Sequence, residues 1–280
     1  MDIPAAANRL PLHRNVLERA AARFWDDDRV VGLVLGGSLA LGGADFYSDV
    51  DLYVIVRDAA FDAVFAERDA AAEAIGSPLL RFTVEPVPGG SSDYIVTYPG
   101  PVKLDLMYHR ESEVVSGPKW KVRPVLKDDS GSLAAVVSGS AGSGPGRPAP
   151  EALAGLEQRF WTWCWYVFGK IVRGELWEAL DGLHTIRSLA LLPLLYWAAE
   201  RPHEGYRHLE HRLDPRMSGL LAATVVPLRP GELYAALRAE ITLFRELRAI
   251  VFDRYGLTFD PEPGGIIEEE ISRRWAEDSS

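Results

Sequence analysis

Apolar positions recur with two different periods along this chain. From Leu12 to Phe24, apolar and small residues fall at Leu12, Val16, Leu17, Ala20 and Phe24, the three-to-four spacing of an amphipathic helix. The run "RVVGLVLGGS" is rich in β-branched residues and ends in glycines, which predicts a strand entering a turn. "DVDLYVIV" predicts a second strand. The segment 59–76 is alanine-rich, with phenylalanines at helical spacing and Gly76 as its stop, and predicts one further helix. "LLRFTVEPV", "DYIVTYPG" and "VKLDLMYHR" predict three more strands, and "WKVRPVLKDDSG" an edge strand or an extended exit. This order implies a small mixed α/β domain over residues 1–137, its sheet covered by helices.

Beyond it, glycine, serine and proline dominate residues 138–150, the composition of a flexible linker. Helical spacing then returns. Leu153, Leu156, Phe160, Cys164, Val167 and Ile171 make one stripe, and Leu176, Leu180 and Leu183 lead into the run Leu189 to Ala199, which reads as a buried helix despite Pro193. Leu233, Leu237, Ile241, Phe244 and Val251 predict a last long helix that starts near Pro230 and stops near Gly256. Residues 151–257 are expected to form a helical bundle, and 258–280 a polar, loosely docked tail. The fold class is thus α+β, a small mixed-sheet domain followed by an all-α domain.

The formal net charge of −10 disfavours unaided binding to duplex nucleic acid and suits a cationic small-molecule partner. The single cysteine, Cys164, excludes an intrachain disulfide and a cysteine-based zinc site, so a reducing, cytoplasmic setting is expected. Cys164 lies on the apolar stripe and is expected to be inert. The N-terminus lacks the basic head and apolar core of a signal peptide, and the Leu189 to Ala199 run is too short to span a bilayer.

The chemistry concentrates around Asp49 and Asp51. Two positions apart on a strand, they point to one face, and carboxylates held that close repel unless a cation bridges them or one takes a proton. Hard divalent cations such as Mg²⁺ favour oxygen ligands of this kind. Gly37 and its neighbouring glycine let a phosphate approach the backbone, and the Ser38 hydroxyl adds a donor. A third carboxylate is wanted on an adjacent strand. Asp105, between Leu104 and Leu106, is the best candidate, and Glu85 the second.

Gly37-Ser38, nine residues, Ser48-Asp49, one residue, then Asp51-Leu52 resembles the pattern of the DNA-polymerase-β-like nucleotidyltransferase superfamily. Asp105 is similar to its third acidic residue. The two-domain layout resembles the antibiotic nucleotidyltransferases that modify aminoglycosides or lincosamides. "VLKDDSG" at 125–131 and "FWTWCWYVFGKIVRGEL" at 160–176 are similar to segments of the streptomycin-type adenylyltransferases, although the exit segment here is Lys-Asp-Asp and the linker is unusually rich in glycine and serine.

The resemblance implies a nucleotidyltransferase domain at 1–137 that binds a nucleoside triphosphate, ATP first among them. Gly37, Ser38 and Ser48 would lie at the nucleotide, and Mg²⁺ at Asp49, Asp51 and Asp105. A hydroxyl of a cationic or polyhydroxylated small molecule would attack the α-phosphate and release pyrophosphate. Asp105 would hold the metal or act as general base, with Glu85 in reserve. Lys170, Arg173, Trp177, Asp181 and His184 share one helical face if the helix continues through Gly174, and Lys170 would bind the triphosphate. A homodimer is compatible with such enzymes. The rival readings are the same reaction on a protein, an RNA end or a biosynthetic intermediate, and a nucleotide-binding module without catalysis.

Overall fold

A computed structural model describes residues 3–84, 92–121, 123–140 and 148–278. The chain divides into two compact units, Met1–Ser143 and Gly144–Ser280.

Among the described residues the first unit is built on six strands: β1 (Val30–Leu35), β2 (Val50–Val56), β3 (Leu80–Thr83), β4 (Ser92–Tyr98), β5 (Val102–Arg110) and β6 (Val125–Asp128). Their order across the sheet is β3-β4-β5-β2-β1-β6. β2 and β5 run parallel and the other neighbours are antiparallel, so the sheet is mixed. The helices are α1 (Pro11–Trp25), α2 (Gly37–Leu41), α3 (Phe61–Ala66), α4 (Arg68–Ile75) and α5 (Ser132–Gly139). The alanine-rich segment is therefore two helices meeting at Glu67 rather than one. Ser138 and Gly139 end α5, and residues 141–147 of the expected linker lie outside the described residues.

Strand alternation divides the side chains between two faces. Leu52, Val54, Leu104, Leu106 and Tyr108 point to the face that α1 covers with Leu17 and Phe24, and all are buried. Fully burying one such side chain is worth about 1.5–3 kcal/mol, so this face carries most of the cohesion of the unit. The opposite face has a smaller apolar cluster in which Tyr53 and Ile55 meet Trp120 and Leu133. One end of this thinly covered face holds the carboxylates.

Among the described residues the second unit has only helices: α6 (Pro150–Val172), α7 (Leu176–Ile186), α8 (Leu192–Ala198), α9 (Leu209–Arg212), α10 (Pro215–Ala222), α11 (Pro230–Tyr255) and α12 (Glu262–Asp278). The stripes on α6 and α11 meet in one core, where Phe160 and Phe244 stack with centroids 3.6 Å apart. Cys164 is fully buried in it, as its place in the stripe predicted. The Leu189 to Ala199 run is not one regular helix. A π-helical turn at Arg187–Leu191 precedes α8, in whose first turn Pro193 sits, where its missing N–H costs little. The end of the chain is also more ordered than its polarity suggested, since α12 buries Ile271 completely in the same core. No described helix is long and apolar enough to cross a membrane.

Candidate active site

The parallel pairing of β2 with β5 sets Asp51 level with Asp105. Burial along β5 alternates, with Leu104 and Leu106 inside and Lys103, Asp105 and Met107 on the thinly covered face. Asp49 immediately precedes β2. It reaches the same place, because the Lys103 ammonium bridges it to Asp105, with Nζ 2.5 Å from Asp49 Oδ2 and 3.1 Å from Asp105 Oδ2. Burial pushes the Asp105 carboxyl up to about 6; Asp51 and Asp49 add to the rise and Lys103 opposes it. Asp105 Oδ1 is buried without a hydrogen-bond partner. Burial works against the charge of Lys103, yet its hydrogen bonds to Asp49 and Asp105 prevail and raise its pKa.

The glycine turn is pressed directly against this cluster. The Gly36 N–H donates to the Asp51 carbonyl at 2.8 Å. Gly37 has φ +59°, and a Cβ there would fall 1.8 Å from Asp51 Oδ2, so only glycine lets the chain pass. Gly37 opens α2 and Ser38 follows in its first turn, where backbone N–H groups have no partner within the helix. Gly37 thus packs against Asp51, with Ser38 next to it in the chain. The Ser48 hydroxyl is engaged elsewhere. It donates to Asp45 Oδ1 at 3.0 Å and accepts from the Asp45 N–H at 2.9 Å, closing the turn before Asp49. His13 Nε2 lies 2.9 Å from the Ser48 carbonyl and ties that turn to α1. Glu85 lies outside the described residues.

Several groups here escaped the sequence reading. Lys103 was legible in principle, since a residue two before Asp105 on a strand shares its face. Asp93 lies on the same face opposite Met107, and its Oδ1 is also buried without a partner. A cationic and aromatic group adjoins the glycine turn. Arg123 lies over the Tyr53 ring at 4.8 Å, and a Cβ on Gly36 would come 2.7 Å from its Nη1. Lys119 Nζ is 2.9 Å from His109 Nε2 and 5.4 Å from the Tyr53 centroid. Burial, helped by the Lys119 charge, lowers the His109 pKa to about 4, and burial also lowers that of Lys119. No motif spacing announces these residues. Lys119 and Arg123 come from the segment between β5 and β6 and meet Tyr53 on β2 and His109 on β5.

In the second unit the proposed polar face is broken. α6 ends at Val172, Gly174 takes φ +73°, and α7 starts at Leu176. Left-handed backbone at Gly174 ends the helical register, so Lys170 and Arg173 do not continue into Trp177, Asp181 and His184 as one stripe. Instead Lys170 Nζ and Arg173 Nε both bind Glu175, at 2.6 and 2.7 Å. Trp177 is exposed, and His184 lies against Tyr206.

Among the described residues, no three Asp, Glu, His or Cys side chains are gathered as a ready cation cage. The donor chemistry still fits a hard cation. Asp49, Asp51 and Asp105 supply carboxylate oxygens at one end of one face, and Asp105 keeps a buried oxygen without a donor. An ammonium now holds one oxygen from each of two of them.

A comparison with solved structures finds an aminoglycoside 6-adenyltransferase from Bacillus subtilis, 18% identical, with a TM-score of 0.46, over 93% of this chain and 97% of that one. It also finds a nucleotidyltransferase-like protein from Exiguobacterium sibiricum 255-15, 13% identical, with a TM-score of 0.37, over 89% of this chain and 76% of that one. Curated protein sequences give no match. The model of the streptomycin adenylyltransferase family matches residues 13–269, from α1 through the sheet and its carboxylates into α12, and the chain belongs to that family.

Proposed function

We propose that the protein transfers a nucleoside monophosphate, AMP from ATP, to a hydroxyl of a cationic or polyhydroxylated small molecule of the aminoglycoside class, with Mg²⁺ and release of pyrophosphate. The observation that carries this reading is Asp51 level with Asp105 across parallel strands, with the Gly37 backbone packed against the Asp51 carboxylate. Family membership supports the adenylyl-transfer chemistry.

Asp49, Asp51 and Asp105 would hold Mg²⁺, which supplies charge neutralisation for the phosphates when bound. The backbone at Gly37 and Ser38 would bind phosphate oxygens, with Arg123 and Lys119 as nearby cations. Asp105, whose Oδ1 accepts no hydrogen bond, would either complete the metal's ligands or take the proton from the oxygen of the attacking hydroxyl. That oxygen bonds to the α-phosphorus, the bond to the bridging oxygen breaks, and pyrophosphate leaves. Lys170 is retained as a triphosphate ligand from the sequence resemblance alone. The acidic balance of the chain favours a cationic acceptor.

The test is a pyrophosphate-release screen of ATP, GTP, CTP and UTP with Mg²⁺ against streptomycin, kanamycin, spectinomycin and lincomycin. Release is expected with ATP and an aminoglycoside, and a loss of at least about a hundredfold in Asp49→Asn and Asp51→Asn. Release that survives both substitutions would remove the assignment of these carboxylates. Absence of release with every acceptor would remove the antibiotic substrate class.

A further inference from the structure

We propose that Lys103 is an internal counter-cation that competes with the divalent metal for Asp49 and Asp105, so that it holds the carboxylates together in the metal-free protein and sets how tightly the metal binds. The inference rests on the metal role proposed above for Asp49, Asp51 and Asp105.

Geometry carries it. Lys103 stands on β5 two residues before Asp105, and its Nζ contacts one oxygen from each of two carboxylates that lie on different segments. Three carboxylates meet at this end of the sheet, and unneutralised they would repel one another. The ammonium removes part of that repulsion. A metal ligated by Asp49 and Asp105 would bring its double positive charge within a few ångströms of the ammonium, so metal and ammonium compete for these carboxylates. The Lys103 side chain is 37% exposed, against 40% for Asp49 and 18% for Asp105, so the Asp105 contact is the more sheltered of the two and the lysine stays accessible to solvent. A lysine suits this task because its four-carbon stem is flexible and its charge is compact.

The experiment measures Mn²⁺ binding to the full chain by titration calorimetry and by the electron paramagnetic resonance of free Mn²⁺. Lys103→Met keeps the stem and removes the charge, and it is expected to bind Mn²⁺ about three- to fivefold more tightly than wild type, the scale of a half-exposed ion pair. Lys103→Arg keeps the charge and is expected to stay within about twofold of wild type. In EDTA the Met variant should melt below wild type, and saturating Mn²⁺ should narrow that gap. A purely structural lysine would lower the melting temperature equally with and without Mn²⁺. Equal or weaker Mn²⁺ binding by Lys103→Met overturns the inference, as does an Arg variant that binds as tightly as Met. A wild type that binds no Mn²⁺, or binds it equally after Asp49→Asn plus Asp51→Asn, overturns the metal reading itself. Should Lys103→Met not fold, acylation of Lys103 in the wild type by an amine-reactive ester decides the matter. Its rate, followed by peptide mass spectrometry, is expected to rise at least about twofold when Mn²⁺ frees the amine, and an unchanged rate overturns the inference.

Discussion

Gly37→Ala is expected to damage both the fold and the chemistry, by two separable terms. The first is conformational: φ of +59° costs an L-residue about 1–2 kcal/mol. The second is steric. The new methyl would lie 1.8 Å from Asp51 Oδ2, so that carboxylate has to move by about 1.5 Å or more to reach ordinary contact distance. Asp51 cannot retreat along its backbone, because its carbonyl accepts the Gly36 N–H and β2 is paired on both sides. The side chain has to rotate out of its place beside Asp105. The summed cost is about 2–4 kcal/mol, a fall in melting temperature of roughly 5–15 °C. A carboxylate displaced on this scale should lower the rate of pyrophosphate release about a hundredfold or more.

Two neighbouring glycines separate the terms. Gly42, at φ +78°, has nothing within 4 Å of a built Cβ, so Gly42→Ala reports the backbone cost alone. Gly43 has open space and no positive φ, so Gly43→Ala should stay within about 0.5 kcal/mol of wild type. Differential scanning fluorimetry and the release assay on the three variants decide the matter. A Gly37→Ala protein that melts and turns over like Gly43→Ala would refute the close packing of the glycine turn against Asp51.

In metal-free buffer, Asp105 and His109 should oppose each other in the pH dependence of stability. The Asp105 carboxyl titrates near 6 in the fold against 3.8 ordinarily, so between those values the native state holds the extra proton and stability falls as pH rises. His109 titrates near 4 against 6.5, so the unfolded state holds the extra proton and stability rises with pH. Each is worth about 3 kcal/mol, so they nearly cancel between pH 4 and 6. Urea unfolding of Asp105→Asn should show stability climbing with pH up to about 6.5, and His109→Gln should show the reverse; identical slopes in both variants and wild type would contradict this. In the helical unit, Arg187 Nη1 binds buried Glu240 at 3.0 Å and the Thr224 carbonyl at 2.7 Å, so Arg187→Met should cost about 3–5 kcal/mol in urea unfolding by leaving a buried acid unpaired. Lys170→Ala should raise KM for ATP at least about fivefold if the amine leaves Glu175 for the triphosphate, and an unchanged KM would remove Lys170 from the nucleotide site.

The carboxylates show where sequence stops. Alternation alone puts Asp49 and Asp51 on one face, because it follows from local backbone geometry, and the Gly-Ser spacing ties them to the nucleotidyltransferase pattern by resemblance. The long helices α1, α6 and α11 were legible for the same reason, through the spacing of their apolar stripes. What alternation cannot supply is register between strands distant in sequence. Only the parallel pairing of β2 with β5 sets Asp51 level with Asp105 and turns Lys103 from a surface lysine into the partner of two carboxylates. Likewise no local pattern predicts that Arg123, Lys119 and Trp120 close over Tyr53, or that one residue, Gly174, ends the Lys170 face. The sequence by itself determined the order of α and β elements, through periodicity that acts within a few residues, and its motif resemblance pointed to the nucleotidyltransferases. The tertiary structure decided which charges meet, because pairing and packing bring together residues that no local interaction connects.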